Sequence, residues 1–267
     1  MLSSVNVSCS LQLDAQGPAS AVFQVVAAGS DGRLEVEQDG VQLELSELSG
    51  PVGGRVHVAE LGTGPVLVRY TADVLLGSVP VSAPTAAERW EALRPSRYCP
   101  SDRLGGVVFD LLGPVVPDDS WERALAVSQW VRRRLSYVGG SSDGSDGALE
   151  TLLSGQGVCR DYAHLVVALC RALDVPARMV SVYAPGLSPM DFHAVAEVAI
   201  QDAWWVLDST GLAPRPSMVR IATGRDAADT AFLTTLGEPV SLVRFEVMAV
   251  TAGDLPLDDH TGRVRLV

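Results

Sequence analysis

The sequence predicts an α+β protein, with an all-β N-terminal part at residues 1–84 and a second part of mixed helices and strands at residues 85–267. Two observations predict this class. Residues 5–13 alternate strictly between apolar and polar side chains, which is the period of a half-buried β-strand. After about residue 84 the pattern changes to apolar runs of helical length, followed by short β-favouring runs. Segregation of strands and helices along a chain favours an α+β fold or two domains.

The first part reads as a small β-sandwich. A two-residue turn at Asp39–Gly40 would set Val36 opposite Leu43 and Leu34 opposite Leu45 on one face of a hairpin. Further strands are predicted at 52–61 and 66–74. His57, between two valines, is expected on the polar side of its strand and needs no function.

The second part reads as helices followed by strands. The predicted helices are 86–93, 121–135, 148–153 and 160–173, and the predicted strands are 177–183, 192–200, 203–209 and 240–251. Residues 139–147 are rich in Ser, Gly and Asp and predict a flexible loop or a lid. A calcium site through Asp143 and Asp146 is disfavoured, because the spacing of an EF-hand is absent.

Cys159 is the candidate nucleophile. Gly155 and Gly157 interrupt the preceding helical segment, so the thiol falls at the first turn of the next helix. Free backbone amides and the positive end of the helix dipole favour a thiolate there and supply an amide for an oxyanion. The alternative is a small buried hydrophobic residue, which is the interpretation that we give to Cys170.

Metal ligation is not expected, and no cofactor is predicted. His164 lies five residues after Cys159, about 140° around a helix, so the two side chains point in different directions. Cys9 and Cys99 lack the spacing of zinc ligands.

His193 and Asp208 are the candidate partners of the cysteine. If Gln201–Asp202 forms a hairpin loop, Val195 pairs with Asp208, and the carboxylate becomes the diagonal neighbour of His193 on the same face. A carboxylate on one ring nitrogen fixes the tautomer and leaves the other nitrogen to deprotonate a thiol. Taken singly, each residue could instead be structural, as a strand histidine and a turn-starting aspartate.

Four segments carry a resemblance to a known family. They are residues 157–164 (Gly-Val-Cys-Arg-Asp-Tyr-Ala-His), 175–178 (Val-Pro-Ala-Arg), 191–194 (Asp-Phe-His-Ala) and 205–210 (Trp-Val-Leu-Asp-Ser-Thr). Together they resemble the bacterial transglutaminase-like superfamily. Residues 93–102 and 219–229 resemble its subgroup with an extra N-terminal β domain. The resemblance implies a papain-like, transglutaminase-like cysteine-enzyme core with an N-terminal all-β sandwich domain, and a catalytic triad of Cys159, His193 and Asp208.

The resemblance also implies an upstream side chain that completes the oxyanion hole, for which the candidates are Gln156, Tyr137 and Trp130. For the two aromatic residues, core packing at a helix end is the alternative. The chain departs from the family pattern at two places. Between His193 and Glu197 it has no aromatic residue, although the family often has one before the acidic residue, and Ser209 stands where a proline often follows the aspartate.

The expected activity is acyl transfer or hydrolysis on peptide or amide bonds through a thioester, with a peptidase or amidase favoured. A protein-glutamine transamidase and a non-catalytic binding or assembly module are the alternatives. The resemblance implies a peptide or protein substrate. The net charge of −12 disfavours nucleic acid and anionic membranes as partners. The first residues lack the pattern of a signal peptide, and no apolar run approaches the roughly 18 residues of a membrane span. A cytoplasmic location is therefore expected.

Overall fold

The computed structural model describes residues 4–77, 82–112 and 117–266. The strands are β1 Ser4–Ala15, β2 Ala19–Phe23, β3 Leu34–Gln38, β4 Val41–Gln42, β5 Ser46–Ser49, β6 Arg55–Leu61, β7 Gly64–Leu75, β8 Ser136–Tyr137, β9 Gln156–Gly157, β10 Ala177–Tyr183, β11 Phe192–Ile200, β12 Ala203–Leu207, β13 Val219–Gly224, β14 Leu233–Gly237 and β15 Val240–Thr251. The α-helices are α1 Ala86–Glu91, α2 Gly105–Leu112, α3 Ser120–Arg134, α4 Ala148–Ser154, α5 Cys159–Ala172 and α6 Ala227–Thr230. The class is α+β, as predicted.

Two antiparallel sheets form the β part, with strand orders β15-β1-β7-β3-β4 and β14-β2-β6-β5. The alternating apolar residues of β1 point between the sheets and share one core with Phe23 of β2 and Leu61 of β6. The hairpin register predicted around Asp39–Gly40 is confirmed, because Gln38 pairs with Val41 and Leu43 N donates to Val36 O at 2.8 Å.

The strand predicted at 240–251 has the predicted bounds but lies elsewhere in the fold. β15 pairs with β1 along residues 5–15, and β14 pairs with β2. A division at residue 84 therefore separates strands that are neighbours in space, and residues 233–251 complete the two N-terminal sheets. Hydrophobic periodicity identifies a strand but contains no information about which edge it joins.

The expectation that His57 lies on the polar side of its strand is wrong. His57 shares the inward face of β6 with Ala59 and Leu61, and only 3% of its surface is exposed. Its Nε2 lies 3.2 Å from Glu47 Oε2 on β5, which gives the buried ring a polar partner. The side chain therefore lies on the core side of the sheet, where the parity of β6 places it.

The second part of the chain is built on a third sheet, with strand order β12-β11-β10-β13. β10 is buried along its whole length, and the apolar helix α5 contacts both β10 and β11. The predicted helices are present within two residues at each end, whereas α2, α6, β8, β9, β13 and β14 were not predicted. Within the described ranges, no helix is both long and apolar enough to cross a bilayer.

Candidate active site

Cys159 is the first residue of α5, as the glycine pattern predicts. Asp161, in the first turn, is fully buried and accepts a hydrogen bond from Val158 N at 2.8 Å. Gly157 makes this possible, since a Cβ at that position would lie 2.6 Å from Asp161 Cβ. The first turn of α5 is thus held from within, and this fixes where the thiol emerges.

Asp161 also ties the 139–147 loop to the start of α5. Ser142 Oγ donates to Asp161 Oδ2, and Arg160 Nε donates to Asp161 Oδ1 at 3.0 Å. Arg160 reaches the same loop through Asp143 O at 2.7 Å. Sequence reasoning missed this anchoring network, although a glycine two residues before the cysteine was a visible signal of a close approach.

His193 lies at the start of β11, and Asp208 directly follows β12. The register predicted for this hairpin is confirmed, since Ala196 pairs with Leu207 and the next step sets residue 195 opposite 208. His193 Nε2 lies 3.0 Å from Asp208 Oδ2, and both side chains are buried. Thr210, which sequence reasoning did not single out, donates to Asp208 Oδ1 through its amide at 2.9 Å and its hydroxyl at 2.7 Å.

His193 and Asp208 shift each other's pKa in opposite directions. Burial by itself lowers the pKa of His193, but the charge of Asp208, their hydrogen bond and the neighbouring Cys159 outweigh it and raise that pKa to about 10. Burial likewise raises the pKa of Asp208, yet the charge of His193 and the hydrogen bonds from His193 and Thr210 hold it below its ordinary value. The arrangement therefore favours an imidazolium beside a carboxylate.

Nδ1 is the ring nitrogen of His193 that does not contact Asp208. Nδ1 is buried and makes no hydrogen bond to any described residue. The neighbouring Cys159 contributes to the raised pKa of the ring. The sulfur atom of Cys159 lies 4.0 Å from the carbonyl oxygen of Phe192, the residue before His193. The fold thus brings together the three residues that the sequence singled out.

Cys159 and His193 line one cavity of about 640 Å³. One wall of the cavity is formed by residues of α5, β10 and β11. The other includes Phe232, which directly precedes β14, Leu233 of β14 and Phe245 of β15. Ligand sites in proteins commonly measure about 300 to 1,000 Å³, so a short stretch of peptide fits this size.

The three oxyanion candidates differ in their surroundings. Tyr137 on β8 pairs with Gly157, and its hydroxyl lies beside the backbone and the thiol of Cys159. Burial, and after it the charge of Cys159, raises the pKa of Tyr137 to about 12, so the group stays a neutral donor. Gln156 is exposed on β9, and Trp130 is half-buried against the core that includes α5. Of these candidates, the structure brings Tyr137 to the thiol.

The other cysteines lie in apolar surroundings. Burial raises the pKa of Cys9 to about 11, and the pKa of Cys99 and Cys170 to about 12. His164 is fully buried, stacks on Tyr98 with ring centroids 5.2 Å apart, and accepts a hydrogen bond from Ala227 N at 3.1 Å. Burial lowers the pKa of His164 to about 4, so it stays neutral and joins α5 to α6.

The acidic residues of the 139–147 loop serve its own turns. Asp146 Oδ2 accepts from Asp143 N at 2.8 Å, and Asp143 Oδ1 accepts from Gly144 N at 2.9 Å. In the part of the chain that the structure describes, no group of three or more His, Cys, Asp or Glu side chains is arranged to hold a metal ion.

Comparison with known proteins places this site in a family context. Residues 113–209, which include all three triad candidates, match the model of the transglutaminase-like superfamily. A solved structure of a candidate cysteine protease from Cytophaga hutchinsonii is 30% identical and superimposes with a TM-score of 0.84, over 95% of this chain and 92% of that one. An uncharacterized protein of Mycobacterium leprae (strain TN) is 26% identical over 152 residues, which is 53% of each chain, so the match spans about half of that relative.

Proposed function

Because the chain belongs to the transglutaminase-like superfamily, we propose that it is a cysteine-dependent hydrolase of peptide or amide bonds. Cys159 is the nucleophile, His193 the general base and then acid, and Asp208 the residue that orients the imidazole. The observation that carries the proposal is the 3.0 Å contact of His193 with the buried Asp208, since His193 also lines the cavity that Cys159 lines from a helix start.

In the acylation step, the Cys159 thiolate attacks the carbonyl carbon of the substrate and a tetrahedral oxyanion forms. We assign the backbone amide of Cys159 and the hydroxyl of Tyr137 as the donors to that oxygen, of the kind that stabilises such intermediates. The C–N bond then breaks, and the imidazolium of His193 gives its proton to the leaving amine. A thioester on Cys159 and a neutral His193 remain.

In the deacylation step, a water molecule enters in place of the departed amine. His193 Nδ1 takes a proton from the water as its oxygen attacks the thioester carbon. The C–S bond breaks, the acid product leaves, and the thiolate and imidazolium are restored. Asp208 remains ionised throughout and compensates the positive ring, a role that its lowered pKa supports.

A transamidase would use the same thioester but release it to a primary amine. We favour water, because neither the sequence nor the described residues offer a calcium site of the kind that would trigger crosslinking. We further propose a peptide or protein substrate and a reducing, cytoplasmic location, which the four unpaired cysteines support.

The test is an incubation with a library of peptides that includes glutamine-containing members, with and without a primary amine and a chelator, followed by mass spectrometry. We expect cleavage or deamidation that is insensitive to chelator and is abolished by Cys159→Ala. Incorporation of the amine that disappears on adding chelator would overturn the hydrolase assignment.

A further inference from the structure

A row of aromatic rings runs from the residue next to His193 into the β part of the molecule. Phe192 stacks on Phe232 with centroids 4.8 Å apart and an interplanar angle of 21°. The ring centroids of Phe232 and Phe245 of β15 are in turn 6.3 Å apart. All three rings line the cavity that holds Cys159. The row begins at the nucleophile, since the Cys159 sulfur atom lies 4.0 Å from Phe192 O.

The row is held in place before any ligand arrives. Gln24, which follows β2, donates its backbone amide to Phe232 O at 3.1 Å. Its side-chain amide donates to Asp229 O at 3.0 Å and to Ala231 O at 3.3 Å, which fixes the segment that leads into Phe232. A preformed apolar wall costs little conformational entropy when a ligand binds to it.

Packing within the fold does not account for the outermost ring. Phe245 remains 40% exposed, whereas Val247 and Ala249, on the same face of β15, are buried in the β core. Met179 and Ile221 are buried and add apolar surface to the same cavity. Charged groups are also present in its lining, with Asp191, Arg97 and Arg160 contributing both signs.

We propose that this row is a specificity subsite that binds a bulky apolar side chain, aromatic or aliphatic, of a peptide substrate close to the scissile carbonyl. The β part would thus select substrates for the nucleophile Cys159, which lies at the start of α5. The inference rests on the proposed function. Because the lining contains charges of both signs, we expect apolar burial rather than net charge to select the substrate side chain.

The first test compares two peptides that differ at one position near the scissile bond, with Phe in one and Ser in the other. We expect kcat/KM of the wild-type protein to favour the Phe peptide by about tenfold or more, from the burial of one large side chain. Phe245→Ala should reduce that ratio toward unity, while Phe245→Leu, which keeps apolar bulk, should retain most of it. Val243→Ala is the matched control, because Val243 lies on the same strand, is 65% exposed and does not line this cavity.

The second test separates the subsite from the reaction. Calorimetric binding of the same two peptides to Cys159→Ala measures selection without turnover, and thermal unfolding checks that each variant is folded. Preferential binding of the Phe peptide, lost in the double variant with Phe245→Ala, supports the subsite even if no cleavage is found. Equal binding and equal turnover of the two peptides would overturn the subsite, and would leave the proposed reaction standing if that turnover requires Cys159.

Discussion

At the scale of single residues, Cys159 differs from the three other cysteines in where its sulfur lies. Cys9, Cys99 and Cys170 are buried, and burial raises the pKa of each. Cys159 is partly exposed in a cavity and lies at a helix N-terminus, near an imidazole whose pKa is raised to about 10. Thiolate character and access together control the rate of alkylation.

We therefore expect iodoacetamide at pH 6 to modify Cys159 much faster than the other three thiols in the folded protein. Peptide mapping by mass spectrometry over a time course measures the four rates. Cys159→Ser is the control, and it should leave only slow labelling. Comparable rates at all four positions would show that the helix start does not activate the thiol.

The charge state of His193 leads to a second expectation, for Asp208→Asn. Loss of the carboxylate should lower the pKa of His193 from about 10, move the basic limb of the pH–rate profile to lower pH, and reduce kcat by about 10² to 10⁴-fold. Measuring kcat against pH for both proteins tests this. An unchanged basic limb in the variant would contradict the assignment.

The interaction of His193 with Asp208 also makes the stability of the folded protein depend on pH. The pKa of His193 is higher in the folded state than its ordinary value of 6.5, so its contribution is complete below about pH 6.5 and is lost as the pH rises toward 10. Asp208→Asn should therefore lower the melting temperature more at pH 6 than at pH 10. Equal losses at both pH values would mean that the pair is not ionised in the folded protein.

Residue type and strand parity were sufficient to predict that Cys159 begins a helix and that His193 and Asp208 lie within hydrogen-bonding distance. They could not predict Thr210 or Asp161 as partners, because a short polar residue next to a motif has many possible roles. Of the oxyanion candidates, Tyr137 reaches Cys159 only through the pairing of β8 with β9, two strands of two residues each that are too short to leave a periodic signal.

At the scale of elements, the start of α5 is the feature on which the site depends. Gly157 allows Asp161 to approach closely enough to bond Val158 N at 2.8 Å. The glycine has no need of an unusual backbone conformation here, so its role is to leave space. The sequence predicted this helix to within one residue of its observed start, because glycines and an apolar run mark it clearly.

We expect Gly157→Ala to displace either Asp161 or the turn that carries Cys159. The new Cβ would lie 2.6 Å from Asp161 Cβ and 2.9 Å from Oδ2, so the protein should lose about 1–3 kcal/mol of unfolding free energy. Alkylation of Cys159 should slow as well. Gly139→Ala is the matched control, because a Cβ there meets nothing within 4 Å. Equal behaviour of the two variants in denaturant titration and labelling would contradict this account.

At the scale of the whole molecule, the chain returns at its end to the sheets with which it began. β15 covers the edge of β1, and on the same strand Phe245 reaches the cavity of Cys159. This return could not be predicted from the sequence, since pairing over more than two hundred residues leaves no local pattern. It makes the last strand part of both the β core and the site.

Adjacent residues of β15 allow this dual role to be tested. Val247 faces the core with 8% of its surface exposed, whereas Met248 faces outward with 48% exposed. Val247→Asp would bury an unpaired carboxylate among apolar side chains, which costs several kcal/mol, so we expect a large fall in melting temperature and a loss of peptide turnover. Met248→Asp carries the same charge on the same strand and should change neither quantity appreciably. Equal melting temperatures of the two variants would contradict this account. So would a Val247→Asp variant whose β part is unfolded but whose turnover and peptide preference persist, because β15 would then not couple the two parts of the molecule.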